Sequence, residues 1–189
     1  MNRQCKLSIV TKDYLTEFHC ILDDMIQGMT STPLTDSISH NFITQMIPHH
    51  QGAIRMSQNL LKYTTYIPLQ DIALGIISEQ TKSIENMRKA ECACGKLTNS
   101  QQDLCLYQRR MEQIMKSMFS KMRNACADND INGNFMREMI PHHQGAVEMS
   151  ENTLQYDICP ELVPILEAII TSQKRGIRQM QQLLRCISG

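Results

Sequence analysis

The chain contains no tryptophan, and aromatic residues occupy only 5% of its 189 positions. It also lacks an excess of charge, because 19 basic side chains are matched by 19 acidic ones. We therefore expect neither nucleic acid nor an anionic membrane surface as a partner. No apolar run reaches the roughly 18 residues that a membrane span needs, and the first ten residues lack the apolar core of a secretory signal. The location therefore stays open between the cytosol and export by a segment outside this sequence.

The main feature that is present is an octapeptide, Met-Ile-Pro-His-His-Gln-Gly-Ala, which occurs twice. It spans Met46–Ala53 and Met139–Ala146, an offset of 139 − 46 = 93 residues. Identities continue outside the octapeptide at the same offset, in the pairs Phe42/Phe135, Met56/Met149, Ser57/Ser150, Asn59/Asn152, Gln80/Gln173 and Met87/Met180. Such a pattern predicts a tandem duplication.

The eight cysteines are not part of this repeat, since none has a cysteine 93 residues away. They are Cys5, Cys20, Cys92, Cys94, Cys105, Cys126, Cys159 and Cys186. They would form disulfides in an oxidising compartment and stay thiols in a reducing one. Cys92-Ala-Cys94 has the wrong spacing for a Cys-x-x-Cys motif. A peripheral metal site with Glu91 is an alternative to ordinary thiols there.

Helical periodicity runs through nearly the whole chain. Apolar residues recur at intervals of three and four, and no alternating strand pattern competes. This predicts an all-α fold of six helices, with a first three-helix repeat in residues 1–94 and a second in residues 101–189, packed as one compact domain. The signature helices and the helices that follow them would close a four-helix core. Predicted N-caps of the signature helices are Ser39 or Asn41, and Asn132 or Asn134.

The signature places ligand-type groups on a buried helix face. Met46, His49 and Met56 share one face at 100° per residue, with His50 at its edge. A buried imidazole needs partners, and we expect Gln80 on the next helix to be one. We also expect Pro48 to lie inside the helix, with Gly52 allowing close backbone contact.

Imidazole and thioether groups without a nearby carboxylate form a soft-to-borderline ligand set, which suits Cu(I) and Ag(I). The alternative is that the histidines only hydrogen-bond inside the core and that the methionines only pack.

The stretches 42–56, 135–149, 80–87 and 173–180 resemble the bacterial domain-of-unknown-function family number three hundred and five. The resemblance implies a ferritin-like helical bundle and, for some members, copper binding in the cell envelope through methionine and histidine. By resemblance, the metal ligands would be Met46, His49, His50, Met56, Met139, His142, His143 and Met149. The cysteines depart from the family pattern, so thiolates could compete for the metal.

The sequence is compatible with three functions. The favoured one is the binding of a soft metal ion, most simply copper, in metal homeostasis or tolerance. The alternatives are a structural or partner-binding bundle and a metal-dependent enzyme of unknown reaction. No catalytic residue is predicted. A di-iron site is disfavoured because Glu138 corresponds to Gln45 in the other repeat. The duplication predicts that His49 and His142 approach each other near the bundle axis. It also predicts that a single chain builds the whole core, which favours a monomer.

Overall fold

The structure, a computed structural model, describes residues 6–188, so that Cys5 lies outside the described part. It contains six helices and no strand within those residues. The helices are α1 (Ile9–Thr30), α2 (Ile38–Leu61), α3 (Ile67–Cys94), α4 (Gln101–Arg123), α5 (Ile131–Thr153) and α6 (Val163–Ser188). The predicted all-α fold with six helices is confirmed. None of the described helices is long and apolar enough to cross a membrane.

The two signature helices, α2 and α5, lie at the centre of the bundle and contact each other. On one side α3 packs against α2, α6 packs against α5, and α3 also contacts α6. These four helices form the predicted core. Helix α1 flanks α2 and helix α4 flanks α5. The core owes much of its volume to thioethers, because every methionine in residues 6–188 is buried.

The signature helix α2 begins earlier than predicted. Its N-cap is Ser37, so that Ser39 and Asn41 lie inside the helix and the predicted caps are wrong. Asn41 instead braces the preceding loop, since its amide oxygen accepts from the Thr35 nitrogen at 2.8 Å and its amide nitrogen donates to the Thr35 oxygen at 2.9 Å. The prediction for α5 is wrong in the same way, because Asp130 is the N-cap there.

The interior proline and the glycine of the signature are placed as predicted. Pro48 lies well inside α2, and the proline of the second signature lies inside α5. A Cβ atom on Gly52 would lie 2.7 Å from the Met25 sulfur, so only glycine lets α1 approach α2 this closely. Gly145 has the same relation to Met118 in α4.

Candidate metal centre

The first histidines of the two signatures meet where α2 contacts α5. The ring centroids of His49 and His142 lie 3.7 Å apart, with their planes inclined by 31°. His142 Nε2 lies 3.2 Å from the backbone oxygen of His49. Both side chains are fully buried. The predicted approach of these two histidines near the bundle axis is confirmed.

The second histidine of each signature lies toward α3 and α6, and here the halves differ. His50 Nε2 lies 3.1 Å from the Ser83 hydroxyl on α3. At the corresponding position, 83 + 93 = 176, helix α6 carries a glycine. A Cβ on Gly176 would lie 2.9 Å from His143 Cδ2 and 3.0 Å from Nε2. The His143 ring therefore packs against bare backbone where His50 meets a hydroxyl.

Many polar atoms around the signatures are buried without a hydrogen-bonding partner in the described part of the chain. They include both ring nitrogens of His49 and the Nδ1 atoms of His50, His142 and His143. Both amide atoms of Gln80 are also unpaired, so the predicted Gln80–His49 hydrogen bond is wrong. Each such group costs about 1–3 kcal/mol when left unsatisfied.

The buried environment keeps these imidazoles neutral. Desolvation lowers the pKa of His50 to about 3 and that of His142 to about 4. Desolvation, reinforced by the neighbouring histidines, also holds the pKa values of His49 and His143 well below the usual 6.5. At neutral pH each ring therefore carries a lone pair that can act as a ligand.

The predicted thioether ligands, Met46, Met56, Met139 and Met149, are buried on the same two helices as the histidines. The buried carboxylate in these helices, Glu138, is engaged elsewhere, because Tyr14 on α1 donates a hydrogen bond to its Oε2 at 2.7 Å. Within residues 6–188, no three side chains from histidine, cysteine, aspartate and glutamate converge as a metal site. The four-ligand arrangement typical of structural zinc is therefore not formed there.

Two grooves between α3 and α6 lead from the surface to the outer histidines. One, of about 550 Å³, is lined by His50, Gln80 and Ser83 among others. The other, of about 500 Å³, is lined by His143 and Gly176. An ion pair between Arg175 of α6 and Glu79 of α3 separates them, since both residues line both grooves.

Sequence reasoning missed the residues that face the outer histidines. Ser83 and Gly176 occupy equivalent positions but differ in identity, so a comparison by identity passes over them. The signal that could have found them is their place in the repeat, one turn after the matched Gln80 and Gln173.

The alternative site at Glu91, Cys92 and Cys94 is not assembled. Cys92 is exposed, whereas Cys94 is fully buried on the other side of the helix. Two thiols that face different surroundings do not chelate one ion.

Comparison with known proteins identifies the family to which this helical bundle belongs. The family model described as "Domain of unknown function (DUF305)" matches residues 22–91 and 39–184. The chain belongs to this family. The resemblance seen in the repeated signature is thereby confirmed. A search of curated proteins found no match.

Solved structures show the same fold. A DUF305 fragment from Deinococcus radiodurans is 24% identical with a TM-score of 0.58, covering 81% of this chain and 98% of that one. CopM in its Ag-bound form, obtained by soaking, is 30% identical with a TM-score of 0.60, covering 84% of this chain and all 100% of that one. CopM in its Cu(II)-bound form is 29% identical with a TM-score of 0.58, covering 78% and 95%.

Proposed function

We propose that this protein binds soft metal ions, Cu(I) most favourably, in copper homeostasis or tolerance. The observation that carries the proposal is the cluster of four buried, neutral imidazoles with unpaired ring nitrogens where α2 meets α5. A bound ion would satisfy atoms that the protein leaves without partners. The silver-bound and Cu(II)-bound forms of the similar protein CopM support the same reading.

The ligand set favours a monovalent ion. Imidazole and thioether are neutral donors, and the buried Glu138 carboxyl is engaged by Tyr14. Burying a divalent cation among neutral ligands costs more than burying a monovalent one, because the desolvation energy grows with the charge. Soft donors also select Cu(I) among the biological metals.

The stacking of the central rings favours two sites over one. Because His49 and His142 lie nearly face to face, their nitrogen lone pairs point outward from the ring edges and not toward each other. In our proposal each half supplies its own ligands. They are Met46, His49, His50 and Met56 in the first half, and Met139, His142, His143 and Met149 in the second.

The grooves between α3 and α6 give the proposed entry routes. Each groove is lined by the outer histidine of one signature, His50 or His143, and the ring centroid of that histidine lies 5.8 Å from that of the adjacent central histidine. We further propose that the protein is a monomer, since one chain supplies both signature helices. Light scattering of the metal-free protein tests that point.

An anaerobic Cu(I) titration against a competing chromophoric chelator tests the function. The exposed thiols are first alkylated, so that they do not compete. The protein is expected to take up about two equivalents, and His49→Ala and His142→Ala should each remove about one. His19→Ala, which alters a histidine outside the repeat, should leave the stoichiometry unchanged. If the wild-type protein binds no Cu(I), the proposal is wrong and the histidines have only a structural role in the core.

The role of the thioethers is tested by replacing Met56 and Met149 with leucine. This swap nearly conserves the core volume and should cost under about 1.5 kcal/mol per site. The Cu(I) affinity should nevertheless fall. Met111→Leu, at a buried methionine of α4, is the matched control for packing. Unchanged affinity in a folded double variant would remove the methionines from the sites.

A further inference from the structure

Two cysteines differ from the others in the described part of the chain. Cys94 at the end of α3 and Cys159 before α6 are buried, with relative exposures of 0% and 3%. The remaining described cysteines, Cys20, Cys92, Cys105, Cys126 and Cys186, are exposed. The two buried cysteines come from different halves of the molecule and are separated by 159 − 94 = 65 residues.

Hydrogen bonds tie the backbones of both cysteines to the start of α2. The Ser37 hydroxyl donates to the Cys94 oxygen at 3.0 Å. The Cys159 nitrogen donates to the Ser39 hydroxyl at 2.9 Å. Asn99 reinforces the junction, because its side chain accepts from the Ile38 nitrogen and donates to a backbone oxygen of the segment before α6. Three separate segments are thus fixed against one another around the thiols.

The surroundings of the two thiols disfavour their charged forms. The Cys159 thiol donates to Glu161 Oε2 at 2.9 Å. Burial, the neighbouring Cys159 thiol and the charge of Glu161 together raise the pKa of Cys94 to about 12. A pair of thiolates bound to a monovalent ion would bring a net negative charge next to the Glu161 carboxylate. A disulfide is neutral, so this buried place tolerates it while disfavouring a cation held by two thiolates.

We propose that Cys94 and Cys159 are a redox pair that closes to a disulfide, covalently linking the first half of the molecule to the second. This inference is independent of the proposed metal function. The oxidant is a low-molecular-weight disulfide such as oxidised glutathione. One cysteine, as thiolate, attacks a glutathione sulfur and releases one glutathione thiolate, which takes up the proton that the cysteine lost. The other cysteine loses its proton, displaces the second glutathione, and forms the Cys94–Cys159 bond. Two cysteine thiols are oxidised and one glutathione disulfide is reduced to two thiols.

Peptide mapping of the full chain tests the proposal. The metal-free protein is refolded in buffers of increasing ratio of oxidised to reduced glutathione, so that burial of the thiols does not limit their access. Free thiols are then alkylated, and the digest is analysed by mass spectrometry. A peptide linked through Cys94 and Cys159 is expected, with Cys105 and Cys186 absent from every cross-linked peptide in the same sample. Oxidation should raise the thermal midpoint by on the order of 10 °C, because the link closes a long loop in the unfolded chain.

Single variants separate this pair from other thiols. Cys105→Ala should keep both the linked peptide and the thermal shift, whereas Cys159→Ala should lose both. If Cys159→Ala does not fold, the peptide map of the wild-type protein by itself shows whether the Cys94–Cys159 disulfide forms. The proposal is overturned if Cys94 and Cys159 are both alkylated after refolding in the most oxidising buffer, or if either is found linked to glutathione or to another cysteine.

Discussion

The two halves of the molecule carry the same octapeptide but surround it differently. In the first half the outer histidine, His50, meets the Ser83 hydroxyl at 3.1 Å. In the second half the outer histidine, His143, meets Gly176 and has no such hydroxyl beside it. The central histidines, which meet where α2 contacts α5, are the same in both halves, whereas the residues that face the outer histidines from α3 and α6 differ. This difference indicates that the two histidine sites are chemically unequal, with the outer nitrogen already engaged in the first.

A second difference lies on the opposite side of the signature helices. Glu138 in α5 accepts a hydrogen bond from Tyr14, whereas the residues that correspond to these two through the repeat, Gln45 and Tyr107, both have an unpaired side-chain oxygen among the described residues. Only the second half buries a carboxyl group here, so its stability should depend on pH in a way that the first half does not share.

Replacing Glu138 with glutamine makes the second half resemble the first and should have the largest effect on stability. Desolvation raises the pKa of Glu138 from 4.5 to about 8. The folded state therefore holds the proton more tightly than the unfolded state. The contribution of protonated Glu138 to the free energy of unfolding is fully present below about pH 4.5. It is lost as the pH rises to about 8, at about 1.4 kcal/mol per unit of pKa shift. Glu138→Gln should abolish this decrease, which amounts to a few kcal/mol in the free energy of unfolding between about pH 4.5 and about pH 8.

Denaturant unfolding of the wild type and Glu138→Gln at pH 5 and pH 8 checks this expectation. As the pH rises, the free energy of unfolding of the wild type should fall relative to that of the variant. Glu148→Gln, at a partly exposed carboxylate of the same helix, is the control. Parallel pH curves for wild type and Glu138→Gln would show that Glu138 has an ordinary pKa.

The glycines of the two signatures allow a direct comparison of packing. An added Cβ meets the Met25 sulfur at Gly52 and the Met118 sulfur, more closely, at Gly145. Gly52→Ala and Gly145→Ala should each destabilise by about 1–3 kcal/mol, with the larger cost at Gly145. Gly75→Ala, where no atom lies within 4 Å of the added Cβ, should instead stabilise slightly. Thermal unfolding measures all three, and equal costs at both signatures would contradict the difference in packing.

The Ser83/Gly176 difference should have a smaller effect, of about tenfold in Cu(I) affinity, as is typical for residues beside the ligands. Gly176→Ala pushes a Cβ against the His143 ring and should weaken the second site. Ser83→Gly frees Nε2 of His50 and should strengthen the first.

Each substitution is measured by chelator competition in a single-site background, His49→Ala for the second site and His142→Ala for the first. Gly75→Ala, in the same groove as Gly176, is the control. If Gly176→Ala binds as tightly as its parent, the inequality of the two sites is wrong.

The sequence was enough to predict the helices and the central meeting of His49 and His142, because apolar periodicity and the repeat both bear on the buried face. The predicted helix starts were wrong, because an asparagine that hydrogen-bonds the preceding loop, as Asn41 does, cannot be told from an N-cap by its identity alone. Sequence reasoning also assigned Gln80 to the wrong partner, because periodicity gives the face of a helix and not the distance across it. The proposed pairing of Cys94 with Cys159 could not be predicted from the sequence, because it depends on contacts between segments that are distant along the chain.

The central claim is that the signature imidazoles bind the metal. Long-range ¹H–¹⁵N NMR of the histidine ring nitrogens during a Ag(I) titration, with exposed thiols alkylated, tests it most directly. The account predicts large ¹⁵N shifts for His49, His50, His142 and His143, complete at about two equivalents, and none for His19 and His40. Unchanged signature rings at saturating Ag(I) would contradict the account.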